Sequence, residues 1–465
     1  MRTAVVLFTR DLRVADHPAL ATAAATADQV VPLFVLDPWI LAISARNRIS
    51  YLADALEALD VELRRRGAGL VLRRGDTVTE AMQIATIVDA THIHLADDVS
   101  VFATERLRRL QAQAAPQNIT VQEHPGVTVV PPGEIRPSGG GDHYRVFTPY
   151  WKAWQAVASR EPAEPPARLC LPEGLHPGGE AFPEATTQGI GPLSPHRQRG
   201  GLHAAEDRRQ EWLADAITAY AQYHDDLPGD HTSRLSADLH FGCLSPLLLA
   251  RAVDRGEGGA AFVRQLAWRD FHHQVARAFP ELPRRDYRPR QRPSGGWGHD
   301  DEEAFQAWCA GQTGVPIVDA GMRQLLREGF MHNRARMITA AFLIRHLGVH
   351  WKRGAEHFNA LLTDGDIANN YGNWQWTAGT GNDTRPNRPF NPLRQARRFD
   401  PQGECMCADT CANWRTRPTG RMLVQPGSTS PGERESLAST TSGQRTAATS
   451  RWNICCRVNR TGTAL

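Results

Sequence analysis

The stretch LLTDGDIANNYGNWQWTAGTGNDTRP, Leu361 to Pro386, sets Asp364 and Asp366 two residues apart. Asn369, Asn370 and Asn373 follow, then Trp374 and Trp376 around a glutamine, all in a Gly-punctuated segment. A close carboxylate pair can serve as a general acid and base or bind a metal. No His or Cys cluster for a transition metal accompanies this pair, and no Walker-type loop for phosphate-bound magnesium. Carboxylates and carboxamides beside indoles better suit the polar rim of a flavin or a nucleobase, whose ring edges need donors and acceptors. The plainer reading is a loop with two turn-forming aspartates, and spacing alone does not decide between them.

Three other stretches carry similar chemistry. HTSRLSADLHFG, His231 to Gly242, offers the hydroxyls of Thr232, Ser233 and Ser236 and the fork of Arg234 just before an expected helix. That is either an anion site or an ordinary N-cap. In FVRQLAWRDFHHQ, Arg264, Trp268, Arg269 and His272 recur at helical spacing. Either Gln265, Trp268 and Arg269 line a pocket for a planar ligand, or Trp268 is core on an amphipathic helix. GFMHNRARM sets Asn333, Arg334 and Arg336 into one helical turn with Met331 and Met337. That reads as a basic solvated face with filler methionines and a structural His332, or as a surface for a phosphate backbone and a base stack.

These residues need elements to hold them. The chain has 465 residues, 41% of them hydrophobic and 22% charged, which suits a globular protein of two domains. Residues 1–130 alternate short apolar or β-branched runs (AVVLFT, QVVPLFVLD, LVLRRGD, HIHLAD, TVQEH) with amphipathic stretches. That predicts a parallel α/β sheet covered by helices. No glycine-rich dinucleotide fingerprint follows the first strand. Residues 131–200 are rich in Pro and Gly and read as a surface connector, and 201–404 are helix-patterned throughout.

The net charge of +3 does not by itself announce a nucleic-acid partner. Lys152 and Lys352 are the only lysines, so the positive charge is almost all arginine, as in a GC-rich genome, and planar donors suited to phosphate abound. No apolar run is long enough to span a membrane, and the short N-terminal run is no signal peptide, so a cytoplasmic location is expected. Cys170, Cys243 and Cys309 are scattered, whereas Cys405, Cys407, Cys411, Cys455 and Cys456 crowd the end of the chain. CMCADTC lacks a second pair at ligand spacing, so no metal is expected there. Residues 405–465 read as disordered.

Together these stretches resemble the photolyase/cryptochrome flavoprotein family, and within it a class I cyclobutane pyrimidine dimer photolyase. The likeness begins at VVLFTRDLRVADHPAL, runs through TSRLS, FVRQLAWRDFHH, WCAGQTGVPIVDAGMRQLLREGFMHNRARM and DGDIANNYGNWQW, and ends at TRPNRPFNPLRQARRFDPQGE. It implies a Rossmann-like α/β antenna domain joined by a long connector to an all-α FAD-binding domain. Tyr220, Thr232, Ser233, Arg234, Leu235 and Ser236 would hold the FAD phosphates and ribityl chain. Gln265, Arg269, Asn333, Arg336, Asp364, Gly365 and Asp366 would surround the cofactor, with Arg336 and Asp364 paired and Asn370 at the flavin N5 edge. Trp374, Trp351 and Trp297 would form an electron-transfer chain to the surface. Trp268 and Trp376 would sandwich a flipped-out thymine dimer against Met337, with Asn333, Arg334, Arg394 and Gln395 near lesion or phosphate.

The implied activity is light-driven repair of dimer-containing DNA by a monomer. FAD is the catalytic cofactor, with an antenna of 8-hydroxy-5-deazaflavin preferred over methenyltetrahydrofolate. A cryptochrome-type photoreceptor is the alternative on the same scaffold. Two departures stand out. Gln265 occupies a position where many dimer photolyases carry Glu. After RFDPQGE the family continues with a segment like Tyr-Val-Arg-Arg-Tyr-Val, which the codons of CMCADTCANW can spell in a shifted frame. A frameshift near Glu404 is therefore expected, in the gene or in its sequencing, and resequencing that region tests it.

Overall fold

The computed structural model describes residues 1–253, 256–288, 301–382 and 390–403. Trp297 and the whole tail from Glu404 lie outside the described residues, and with them the frameshift reading.

Six parallel strands form the N-terminal sheet in the order β5-β4-β1-β2-β3-β6. They are β1 (Thr3–Leu7), β2 (Gln29–Leu36), β3 (Val71–Arg74), β4 (Ala90–Ala96), β5 (Thr120–His124) and β6 (Gly178–Gly179). β1 is central: Val5 pairs with Val31 of β2 and with Ile93 of β4. All five β1 residues are buried, as expected of a strand covered on both faces. Ala4 and Val6 pack with Leu56 and Leu59 of the helix Arg46–Arg65, whereas Val5 and Leu7 pack with Val78 and Leu110 on the opposite face. The first five strands fall on the apolar or β-branched runs of the sequence. The two-glycine β6 comes from the Pro- and Gly-rich connector and carried no strand signal. That connector also holds the helix Phe147–Ala156, which buries Phe147, Tyr150 and Trp154.

Described residues beyond 200 form helices only. Their second core gathers Trp308, Trp351, Phe358 and Trp374. Among the described residues, no helix is long and apolar enough to cross a membrane.

Three local devices set the geometry of this helical part. Gly329, at φ +62°, ends the helix Pro316–Glu328. A Cβ there would lie 2.5 Å from Asn47 Nδ2, so only glycine admits that contact. Three residues on, His332 accepts from the Arg334 backbone N–H at 3.1 Å and starts the helix Asn333–Arg345. Asp366 caps the helix Ile367–Ala378 by accepting from Asn369 N at 2.8 Å. Removing such a cap costs about 1 kcal/mol.

Candidate functional site

A cavity of about 490 Å³ opens among the helices. Its walls come from places far apart in the chain, among them Tyr220 to Asp225, the stretch 232–240, the middle of the helix Glu257–Ala278, the stretch 330–340 around the start of Asn333–Arg345, and the segment 358–377. Most of the residues singled out from the sequence line it. They are Tyr220, Thr232 to Ser236, Gln265, Trp268, Arg269, His272, Met331, Asn333, Arg334, Arg336, Met337, Asp364, Asp366, Asn369, Asn370, Asn373, Trp374 and Trp376.

The charged groups inside it are tightly organised. Arg336 grips Asp364 with both arms of its fork, Nη1 to Oδ1 at 3.1 Å and Nη2 to Oδ2 at 2.8 Å, while Nε donates to Met331 O. The expected Arg336–Asp364 pair is thus present. The Asp366 carboxylate accepts from Arg10 of the N-terminal part and sits 3.6 Å from His273 Nε2. Burial alone would raise its pKa, but the surrounding positive charge holds it well below the usual carboxylate range. His273 is itself pushed down to about 4 by burial, and His240 well below its ordinary value. Both rings are neutral at pH 7, so the guanidiniums of Arg10 and Arg269 supply the charge. Arg269 spends its own donors on the carbonyls of Val127 and Leu239.

Two arginines expected to meet phosphate are already committed. Arg234, in a left-handed conformation at φ +50°, pairs with Asp230 and with Glu328 and lies over the Phe330 ring at 4.6 Å. The helix after it, Ser236–Phe241, is only six residues long. Arg334 is bidentate to Asp225 and lies 4.5 Å over Phe399.

The aromatic groups have distinct settings. Trp374 is buried, edge-on to Phe358 at 5.0 Å and to Trp308 at 6.2 Å. Gly354 lets it approach, since a Cβ there would stand 2.2 Å from the indole. Trp351 does not line the cavity. It is fully buried in the same apolar cluster and donates Nε1–H to Asp286 at 2.9 Å. Asn370 reaches the Ala355 carbonyl at 3.0 Å. Gly365 also lies off the cavity, against the guanidinium of Arg48, which donates to the Asn359 and Leu362 carbonyls. Arg394 and Gln395, on the helix Pro392–Phe399, lie outside the lining as well.

His240, which sequence reasoning did not single out, also lines the cavity, as does His272, which the sequence marks by its helical spacing but does not place in the pocket. His272 stands one helical turn after Trp268. It is buried, its Nδ1 has no partner, and burial lowers its pKa to about 4, leaving a neutral imidazole.

A family model described as the FAD binding domain of DNA photolyase matches residues 262–408, and one described as DNA photolyase matches residues 4–168. A deoxyribodipyrimidine photo-lyase of Streptomyces griseus is 47% identical over 409 residues, covering 87% of this chain and 88% of that protein. The chain belongs to the DNA photolyase family. Among solved structures, the bacterial class III photolyase of Agrobacterium tumefaciens matches with a TM-score of 0.80 at 30% identity, covering 88% of this chain and 86% of its own. A Synechocystis cryptochrome matches with the same TM-score of 0.80 at 27% identity, covering 99% of each chain. The α/β-plus-helical architecture is the one these photolyases share.

The cavity of this photolyase-family chain suits FAD on its own chemistry. It combines apolar walls from Leu239, Phe262, Leu266 and Phe358 with polar groups at Asp364, Asp366, Asn370 and the hydroxyls of Thr232, Ser233 and Ser236. The buried, unpartnered His272 Nδ1 on its wall adds a polar atom that a bound group could satisfy.

Proposed function

We propose that the chain repairs cyclobutane pyrimidine dimers in DNA, using light, as a deoxyribodipyrimidine photo-lyase of the class I kind. Bound FAD, fully reduced and photoexcited, supplies the electron that opens the cyclobutane ring and takes it back afterwards. The carrying observation is that one cavity presents the Arg336–Asp364 pair, Asp366 and Asn370 together with Trp268, Trp376, Met337 and Asn333. A carboxylate- and amide-lined wall suits the flavin rim, and the indoles suit extruded pyrimidines.

In this reading, Tyr220 and the segment Thr232 to Ser236 hold the phosphates and ribityl chain through their hydroxyls and backbone. Asp364, held by Arg336, and Asp366 accept from the flavin ring, with Gln265, Arg269 and Asn333 around it and Asn370 at its N5 edge. Trp268 and Trp376 stack on the flipped dimer, and such stacking is worth about 1–3 kcal/mol per base. Arg394 and Gln395 lie near lesion or phosphate, and Arg334, held by Asp225, borders the same side. Trp374 and Trp351 carry electrons inward to the flavin.

The C-terminal edge of the parallel sheet, where such folds take ligands, suits an antenna. There Trp39 and Phe102 stack 5.6 Å apart, with Trp39 largely exposed. We favour 8-hydroxy-5-deazaflavin over methenyltetrahydrofolate, because the arginine-rich composition points to a high-GC host of the actinobacterial kind. The protein acts as a cytoplasmic monomer.

The second reading is a blue-light photoreceptor, favoured by the likeness to the Synechocystis cryptochrome. One assay separates them. An oligonucleotide carrying a thymine dimer is incubated with reduced, FAD-loaded protein under blue light and in the dark. Light-dependent restoration of the two thymines supports repair, and unchanged dimers supports the photoreceptor.

A further inference from the structure

Arg10 is not part of the cavity lining, yet it touches a carboxylate that is. It follows β1 at the C-terminal edge of the parallel sheet, between the ends of β4 and β2. Nη1 donates to Asp98 Oδ1 at 3.3 Å, Nε to the His240 carbonyl at 3.3 Å, and Nη2 to Asp366 Oδ2, with the His240 ring nitrogen Nδ1 3.4 Å from Nη2. Asp98 stands just beyond the end of β4, so one guanidinium bridges two sheet loops and a residue 356 positions away.

The two oxygens of Asp366 divide the work. Oδ2 takes Arg10, and Oδ1 takes the backbone and side-chain N–H groups of Asn369, both at 2.8 Å, which caps the helix bearing Asn370, Trp374 and Trp376. His273 and His240 face the same carboxylate as neutral rings, and Arg269 adds a second positive charge. Arg10 thus stands between two carboxylates, Asp98 and Asp366, while Arg269 also faces the buried Asp270 at 3.9 Å. Deleting one partner of a buried ion pair leaves a charge with nowhere to go, which costs far more than the pair contributes.

We infer that Arg10 is a positioning residue for the flavin: the sheet lends its guanidinium to the cavity, neutralising Asp366 and fixing the helix that carries Asn370 and Trp374. The inference rests on the FAD reading above. Without Arg10, an uncompensated carboxylate faces the ring. It disfavours added negative charge on the cofactor and loosens the cap.

The test uses the full chain with FAD as the probe, in four forms: wild type, R10K, R10Q and R10Q/D366N. FAD affinity is read by flavin fluorescence, the flavin midpoint potential by spectroelectrochemistry, and the melting temperature without flavin alongside. R10Q is expected to bind FAD at least tenfold more weakly, with its midpoint potential shifted negative. R10K should fall between R10Q and wild type, because it keeps the charge and loses the fork. The double variant should regain most of the potential, because the orphaned charge is gone. If R10Q does not fold, R10K and the double variant carry the same comparison. A lower melting temperature with unchanged affinity and potential makes Arg10 mere glue between sheet and helices and overturns the inference alone. A wild-type chain that takes up no FAD overturns the cofactor reading, and this inference with it.

Discussion

Trp268 lies face to face with Phe147, their ring centroids 3.6 Å apart and their planes 7° from parallel. Trp151 continues the column, stacked on Phe147 at 6.4 Å. The indole expected to hold one base of the lesion is thus backed by rings from the connector helix, which fixes its plane before any DNA arrives. Preorganisation of this kind lowers the entropy lost on binding.

Replacing Phe147 by Leu keeps apolar volume and removes the ring behind Trp268. Dark binding of a dimer-containing oligonucleotide should weaken by about 5- to 10-fold, roughly the 1 kcal/mol of one aromatic pair. FAD content should stay at the wild-type level. Fluorescence anisotropy with damaged and undamaged duplexes checks this, and equal losses for both would place Phe147 outside lesion recognition.

Breaking the Arg336–Asp364 pair from one side strands a carboxylate that is 7% exposed. Arg336→Ala should cost about 3–5 kcal/mol of stability, and the purified protein should carry little FAD. Thermal melting and flavin content by absorbance report the two effects.

Trp374→Phe and Trp351→Phe should block light-driven reduction of oxidised flavin by an external thiol. Repair by protein reduced chemically beforehand should be unaffected. Steady illumination with absorbance readout separates the two activities. Wild-type photoreduction in both variants would remove these indoles from the route.

Four buried histidines, His94, His124, His272 and His273, have pKa values pushed down to about 4, chiefly by burial. His94 Nδ1 and His124 Nε2 lie 2.9 Å apart. The unfolded chain binds these protons near pH 6.5, and the folded chain only near 4. Stability is therefore complete above pH 6.5 and falls as pH drops toward 4, by up to about 1.4 kcal/mol per pH unit for each histidine. Melting temperatures between pH 7.5 and 4.5 should decline steeply below 6.5. A flat profile contradicts the neutral assignment.

The strands β1 to β5 were legible as short apolar or β-branched runs, and the region beyond residue 200 as helical from its helix-patterned stretches and scarcity of strand signals. Most of the cavity lining was legible because its residues sit in long, distinctive motifs. What escaped depends on contacts between distant segments. Nothing near Arg10 in sequence signals Asp366, and Phe147 stands in a stretch whose Pro and Gly content reads as loop. His240 and His272 read as ordinary helix residues until the fold turns them inward. The prior commitment of Arg234 and Arg334 to carboxylates is likewise invisible in a motif that shows only the arginines.

The central claim is that a flavin in this cavity lies close enough to an extruded dimer for an electron to cross. The fluorescence lifetime of reduced FAD in the loaded protein tests it most directly, measured with a thymine-dimer oligonucleotide and with its undamaged twin. Marked shortening with the dimer alone is the predicted result. An identical lifetime with both oligonucleotides at saturating concentration would contradict the account.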